Sequence, residues 1–255
     1  MLSEYLVSEL FAFLLVFCRF GTALMVMPGF GEQYVSMRVR LMLGLAISAL
    51  LSPGLSGQIL PPTSTFMLVQ YISVEILIGL FIGGIARILI TAIHLAGMII
   101  AYQSGLASAL VPDLSQATGG QGSVMGNLMA VTAMVLIFAT DTHHLMLWGV
   151  KDSYNLFIPG AFPMVEDFAN KAARVGSDAF DIALKLSAPH IVVGLVFYLG
   201  NGIIARLMPN IQIFFIMIPI QIMISFFILM LIISAIMMWY LEYFRAGIAT
   251  FITGG

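Results

Sequence analysis

The chain reads as an all-α, membrane-associated protein built from long hydrophobic helical hairpins, on three grounds. Of its 255 residues, 61% are apolar and only 9% are charged, against roughly 25% charged in ordinary soluble domains. Too little polar surface remains to face water, so the solvent must be lipid, other subunits or both. Six apolar stretches follow one another, separated by turn chemistry. Finally, the segment from Ala205 to Ile220 sets Arg206, Pro209, Asn210, Gln212 and Pro219 into an otherwise bilayer-compatible run. Broken backbone and ionisable groups are tolerated there only when buried in protein or lining a watery path. That points to part of a conduit or its assembly rather than a simple anchor.

The elements follow in order. Apolar stretches run from Leu6 to Met27, Val39 to Leu51, Phe66 to Leu110, Val124 to Val150, Ile182 to Leu207 and Ile211 to Tyr240. A chain of this length holds about six or seven spans of ~20 residues. The first ten residues carry Glu4 and Glu9 but no basic residue, the reverse of a secretory leader, so the first segment is expected to stay. Pro28-Gly29-Phe30-Gly31 ends the first helix and Ser52-Pro53-Gly54 the second. Pro61-Pro62-Thr63-Ser64 precedes the third, with a hydroxyl available as a cap. The third stretch is too long for one span. Its Gly79, Gly83 and Gly84 mark either a break or a close helix crossing.

Pro112 to Gly122 is a small-residue loop with one charge, Asp113. The segment Lys151–Asp181 carries three basic and five acidic residues. It reads as a polar connection with an amphipathic helix from Pro163 onward. Arg38 and Arg40 favour a cytoplasmic first loop, while the mixed charge of the polar connection gives no vote.

Several function classes fall away. A net charge of −2 lacks the basic face that nucleic-acid binding needs. The single Cys18 allows no intrachain disulfide. Metalloprotease, nucleophile-elbow and phosphate-loop signatures are absent. Gly120-Gln-Gly122-Ser-Val-Met-Gly126 has the wrong spacing for a dinucleotide loop and reads as a loop running into a helix. Asp141-Thr-His-His144 has metal-ligand chemistry, but adjacent histidines on a helix point in different directions, so no metal site is expected. No catalytic residue or cofactor is expected either.

Six ionisable residues fall within apolar stretches: Arg19, Glu75, Arg87, His94, Lys185 and Arg206. On one continuous helix Glu75 and Arg87 lie ~18 Å apart and cannot pair; a fold-back near Gly83 would bring them together. Pairing with neighbouring subunits is the expectation for these charges, with a proton-coupled secondary transporter using Glu75, Arg87, His94 and Lys185 as the alternative. Transporters of that kind carry internal repeats, and none is visible. The 18 methionines suit core filling or a deformable seal around polypeptides.

Separated motifs in a fixed order carry a resemblance. They are Arg19 followed by Met27-Pro28, then Arg38-Val-Arg40, Ser52-Pro53 and Glu75-Ile-Leu-Ile-Gly79-Leu-Phe-Ile-Gly83. After these come Ala96-Gly97, Gln103-Ser-Gly-Leu106, Thr140-Asp-Thr-His143, Ser153-Tyr154 and Ile158-Pro159-Gly160. Ala188-Pro189, Arg206-Leu-Met-Pro209-Asn-Ile-Gln-Ile-Phe214 and Ile218-Pro219 complete the set. Over essentially its whole length the chain resembles the FliR/SctT family of type III secretion export-gate proteins.

The resemblance implies a non-enzymatic role in a hetero-oligomeric core with FliP and FliQ, beside FlhB and FlhA. It places that core in the bacterial inner membrane at the flagellar basal body, passing unfolded flagellar substrates. It implies a FliP-like part over residues 1–150, the polar connection over 151–181 and a FliQ-like helical hairpin over 182–255. Family assemblies sit largely above the bilayer plane, so apparent spans need not cross it.

The resemblance also implies a pore plug between Gly105 and Gly122, using Gly105, Leu106, Ser108, Leu110, Val111, Pro112, Asp113, Leu114, Ser115, Gly119, Gly120 and Gly122. Where the family commonly has Asp-Pro, this chain reads Val111-Pro112-Asp113-Leu114. Arg206, Asn210 and Gln212, with Pro209 and Pro219, are expected to hold the bent hairpin against neighbouring subunits. Arg38 and Arg40 are expected at a helix start in a structural role, and Arg19, Glu75 and Arg87 at structural or subunit contacts.

Overall fold

The computed structural model describes residues 2–55, 62, 64–106, 124–160, 165–207 and 213–252. Among them every regular element is a helix: α1 (Leu2–Val26), α2 (Met37–Leu55), α3 (Thr65–Gln103), α4 (Val124–Ala139), α5 (Thr142–Leu156), α6 (Val165–Leu207) and α7 (Ile213–Ala249). Helices α1, α2, α3, α6 and α7 are long and apolar enough to cross a membrane, and the bent pair α4–α5 is a sixth candidate. With no water to pair exposed backbone groups in hydrocarbon, helices that satisfy their own amides are the expected solution.

The termini follow the turn chemistry. Helix α1 stops at Val26, and the Gly31 amide bonds the Met27 carbonyl at 2.8 Å across a turn in which Gly29 takes φ 84°. Ser64 caps α3, its hydroxyl accepting from the Met67 amide at 3.3 Å. Pro53 does not end α2 as expected; it lies within the helix, two residues before its end.

Three boundaries differ from the hydropathy reading. Helix α3 is continuous over 39 residues, ~58 Å by its rise, with no fold-back at Gly83. Its glycines instead serve a crossing against α1. A Cβ at Gly79 would land on Thr22 and the Arg19 carbonyl, and one at Gly83 would lie 2.8 Å from the Ala23 carbonyl oxygen.

The Val124–Val150 stretch is two helices bent by 75°, because Asp141 adopts the left-handed conformation (φ 57°). The polar segment 151–181 is mainly helical. Its first residues finish α5, and from Val165 it forms one 43-residue helix with the apolar stretch beyond it.

By internal packing the chain divides into two units that interleave along the sequence. Unit 1 comprises Met1–Leu89, Phe138–Val175 and Arg245–Gly255; unit 2 comprises Ile90–Ile137 and Gly176–Phe244. In unit 1 the buried positions of α1 (Phe11, Leu15, Phe20, Ala23, Leu24) and α3 (Val74, Ile78, Ile82, Ile85, Leu89) recur at helical spacing. Phe81 stacks on Phe168 at 3.9 Å between ring centroids.

In unit 2, Gly97 of α3 meets Gly126 of α4 so closely that a Cβ at 97 would lie 2.7 Å from the Gly126 Cα. Small residues let helix backbones approach where lipid offers no hydrophobic drive to association. The α6–α7 pair of this unit keeps an apolar outer surface that includes Val192, Val196, Leu199, Phe227, Met230 and Leu231.

Candidate functional site

Two polar constellations lie inside the apolar helices, one in each unit. In unit 1, Arg19 of α1 and Glu75 of α3 are both fully buried. Arg19 Nε donates to Glu75 Oε2 at 2.6 Å and Nη2 to Oε1 at 3.0 Å, the two-pronged geometry that suits guanidinium and carboxylate. Two more donors are used: Nη1 donates to the Ser153 hydroxyl at 3.0 Å and Nη2 to the Phe157 carbonyl at 3.2 Å.

The Tyr154 ring lies 3.8 Å from the guanidinium carbon, a cation–π contact strengthened by desolvation. The Gly160 backbone lies beside the Glu75 carboxylate. Gly160 takes φ 78°, and a Cβ there would run into Tyr71, so glycine is needed both for the turn and for its close approach. A buried charge pair is tolerated when its geometry is good and its remaining donors are met; here the pairing is two-pronged and four of the five guanidinium N–H groups are bonded.

For Arg19 and Glu75, expected at contacts with neighbouring subunits or in a structural role, the partner lies in the same chain. Arg87 pairs with Glu32 rather than Glu75, and Lys185 pairs with Asp181 one turn away on an exposed face. Arg40 donates to the carbonyls of Glu32 and Val35 at 2.9 and 2.8 Å, bracing the turn before α2, while Arg38 is exposed.

In unit 2 the polar groups are neutral. Gln221 of α7 donates through Nε2 to the carbonyl of Gln103, the last residue of α3, at 2.7 Å. His190 Nε2 lies 3.3 Å from the Ser225 carbonyl oxygen. Gly194 leaves room for the Gln103 side chain, whose Oε1 would be 2.6 Å from a Cβ at 194.

Gly105 follows in the left-handed region (φ 75°), and a Cβ there would lie 3.3 Å from Gln221 Oε1. Leu106 is half-buried. Of the expected plug residues only Gly105 and Leu106 fall within the described residues; Ser108, Leu110, Val111, Pro112, Asp113, Leu114, Ser115, Gly119, Gly120 and Gly122 lie outside them. Arg206 is exposed in the last turn of α6, where a cation complements the helix dipole. Pro219 is inside α7 and exposed; Pro209, Asn210 and Gln212 lie outside the described residues.

Sequence reasoning singled out Arg19 and Glu75 but passed over His190, Gln221 and Ser225. The available signal was Pro189-His190 on one apolar helix and Pro219, Gln221 and Ser225 on the next. Polar side chains at i and i+4 beside a proline mark a helix face with something to pair.

At the α4–α5 bend, Asp141, His143 and His144 bring three donor atoms within 4.8 Å of one another. The two imidazoles lie side by side, with centroids 4.1 Å apart, rather than pointing in different directions as expected. Asp141 is 79% and His144 61% exposed, so two of the three donors are free to turn into solvent. The cluster is not pre-organised for a metal ion.

Residues 10–247 match the sequence profile of the family described as bacterial export proteins, family 1. The chain is 34% identical over 232 residues to the flagellar biosynthetic protein FliR of Caulobacter vibrioides, covering 91% of this chain and 92% of that protein. FliR of Bacillus subtilis is 31% identical over 232 residues, covering 88% and 87%. The Yop proteins translocation protein T of Yersinia pestis is 28% identical over 227 residues, covering 87% and 85%.

Proposed function

The chain belongs to the bacterial export proteins, family 1, a membrane component of the flagellar and type III export apparatus, and we propose that it forms the mouth of the export channel together with FliP and FliQ. The observation that carries this reading is similarity along nearly the full length of both this chain and its flagellar relatives. The family is a structural part of that apparatus and not a catalyst, so the energy for export comes from other components. The assembly lies in the inner membrane at the flagellar basal body, with FlhA and FlhB as neighbours and unfolded flagellar proteins as cargo. Residues 1–150 play the FliP-like part, 151–181 the polar connection and 182–255 the FliQ-like hairpin.

The apolar outer surface of α6 and α7 supports packing against other helices, since a face of this kind is covered by lipid or protein. Arg206, Pro209, Asn210, Gln212 and Pro219 hold the hairpin against those neighbours. The segment from Gly105 to Gly122 closes the pore before export. Its composition supports that role: its small residues permit rearrangement, and its single charge, Asp113, limits the cost of burial in a narrow pore. Deleting Ser108 to Ser115 should make the assembled complex leak ions while it still purifies as one particle. A tight, fully assembled deletion variant would remove the plug from this reading.

A further inference from the structure

Of the five long apolar helices, α2 is the least covered by the rest of the chain. Its buried residues are Gly44, Ser48 and Ser52, one turn apart. That narrow strip meets α1, where a Cβ at Gly44 would lie 3.7 Å from the Gly21 Cα. The Ser48 hydroxyl donates back to the Gly44 carbonyl at 2.7 Å, so it asks for no outside partner. The outward side is apolar: Leu41, Met42, Leu45 and Leu50 are exposed, Met42 to 68% and Leu50 to 81%. From Leu41 to Leu55 there is no charged or amide side chain. That run rises ~22 Å, more than one leaflet's half of a ~30 Å hydrocarbon core.

A cation stands at one end of this face. Arg38 precedes Leu41, Met42 and Leu45 by three, four and seven residues, so it shares their side of the helix. It is exposed, and among the described residues it pairs with none. Its neighbours are already engaged. Arg40 donates to the carbonyls of Glu32 and Val35, and Arg87 of α3 pairs with Glu32. Glu32 is the one acidic residue between Met27 and Leu55, which leaves a basic excess that Arg38 presents outward. Tyr34, in the turn before α2, is 73% exposed.

We propose that the outer face of α2 is a binding site for an acidic phospholipid, its acyl chains along Leu41, Met42, Leu45 and Leu50 and its headgroup phosphate on Arg38. Charge selects the headgroup: a guanidinium takes two phosphate oxygens at once, and a basic excess favours a net-negative lipid over a zwitterionic one. A long cationic side chain at the end of an apolar run lays its stem on that run and holds its charge at the polar boundary. An exposed tyrosine belongs at the same depth. The face itself selects lipid over protein. Helices that meet in a membrane do so through small or hydrogen-bonding side chains, and α2 turns Gly44, Ser48 and Ser52 inward onto α1. The site lies wholly within unit 1 and needs none of the partners proposed above.

The first test is native mass spectrometry of the full chain, titrated with phosphatidylglycerol or with phosphatidylcholine of the same acyl chains. The acidic lipid should be retained about fivefold more tightly, the usual effect of one basic residue near an acidic headgroup. Arg38→Gln should bring the two lipids level. Arg174→Gln, which removes an exposed arginine of α6, should leave the preference intact. Equal retention by the unaltered chain, a preference that survives Arg38→Gln, or one that Arg174→Gln lowers as much, overturns the site.

The second test is photolabelling in phosphatidylglycerol vesicles with a phospholipid that carries a diazirine in its acyl chain. Label is expected on Met42, Leu45 or Leu50, both in the chain alone and in the assembled complex. Label lost from α2 in the complex means that another subunit covers this face, and overturns the lipid assignment.

Discussion

In unit 1 a full charge pair lies inside apolar helices; in unit 2 the polar groups buried among comparable helices are amides, a hydroxyl and an imidazole. The two solutions carry different risks. The Arg19–Glu75 pair has a guanidinium with four of its five N–H donors met by a carboxylate, a hydroxyl and a carbonyl, over an aromatic ring. Removing either partner leaves an ion with nothing to neutralise it. The Gln103–Gln221 and His190–Ser225 contacts are each a single neutral bond to backbone, so loss of one strands only a carbonyl or a ring nitrogen. Unit 1 is therefore held by an all-or-none contact and unit 2 by separable ones.

The sharpest way to break that contrast is to cut the charge pair. Arg19→Ala or Glu75→Ala should cost about 3–5 kcal/mol, the usual result of orphaning one member of a buried pair, read as loss of folded chain after detergent extraction. Arg19→Met combined with Glu75→Leu should recover much of that loss, because no charge is then left buried. Recovery no better than either single change would mean that the pair acts through something other than mutual neutralisation.

A smaller effect is expected in unit 2. Gln221→Leu strands the Gln103 carbonyl and should cost about 1–3 kcal/mol, with hydrogen exchange faster at Ser104–Leu106 and unchanged around Ser153. Equal loosening in both places would erase the distinction between the units. Least of all should come from Lys185→Ala. Its pair with Asp181 is more than half exposed on both sides, and exposed pairs one turn apart contribute little. Thermal unfolding should not move measurably; a clear drop would mean that Lys185 has a buried partner in the assembly.

Much of the fold was legible in the sequence because long, punctuated apolar runs in a low-charge chain favour helices over the short alternating strands of a barrel. Continuity was not. Glycines at 79 and 83 look the same whether they break a helix or let another cross it, and only the contact with Arg19 and Ala23 of α1 decides. Hydropathy separated 151–181 from 182–207 by polarity, yet no helix breaker stands between Val165 and Pro189 other than Gly176, so α6 runs straight through.

The charge pair was half legible. Arg19 and Glu75 stand out as ionisable residues in apolar runs, but a partnership across 56 positions leaves no periodic trace. Its Ser153, Tyr154 and Gly160 supports were visible only as motif fragments. His190 and Gln221 escaped because uncharged polar residues do not disturb a hydropathy profile.

An export-channel role requires that this chain be built into a larger hetero-oligomer. The measurement is native mass determination of the detergent-purified chain, expressed alone and together with FliP and FliQ. A discrete, larger complex that forms only on co-expression is the predicted result, with the apolar face of α6 and α7 covered by the partners. A well-behaved monomer or homodimer that ignores both partners would contradict the export-channel reading.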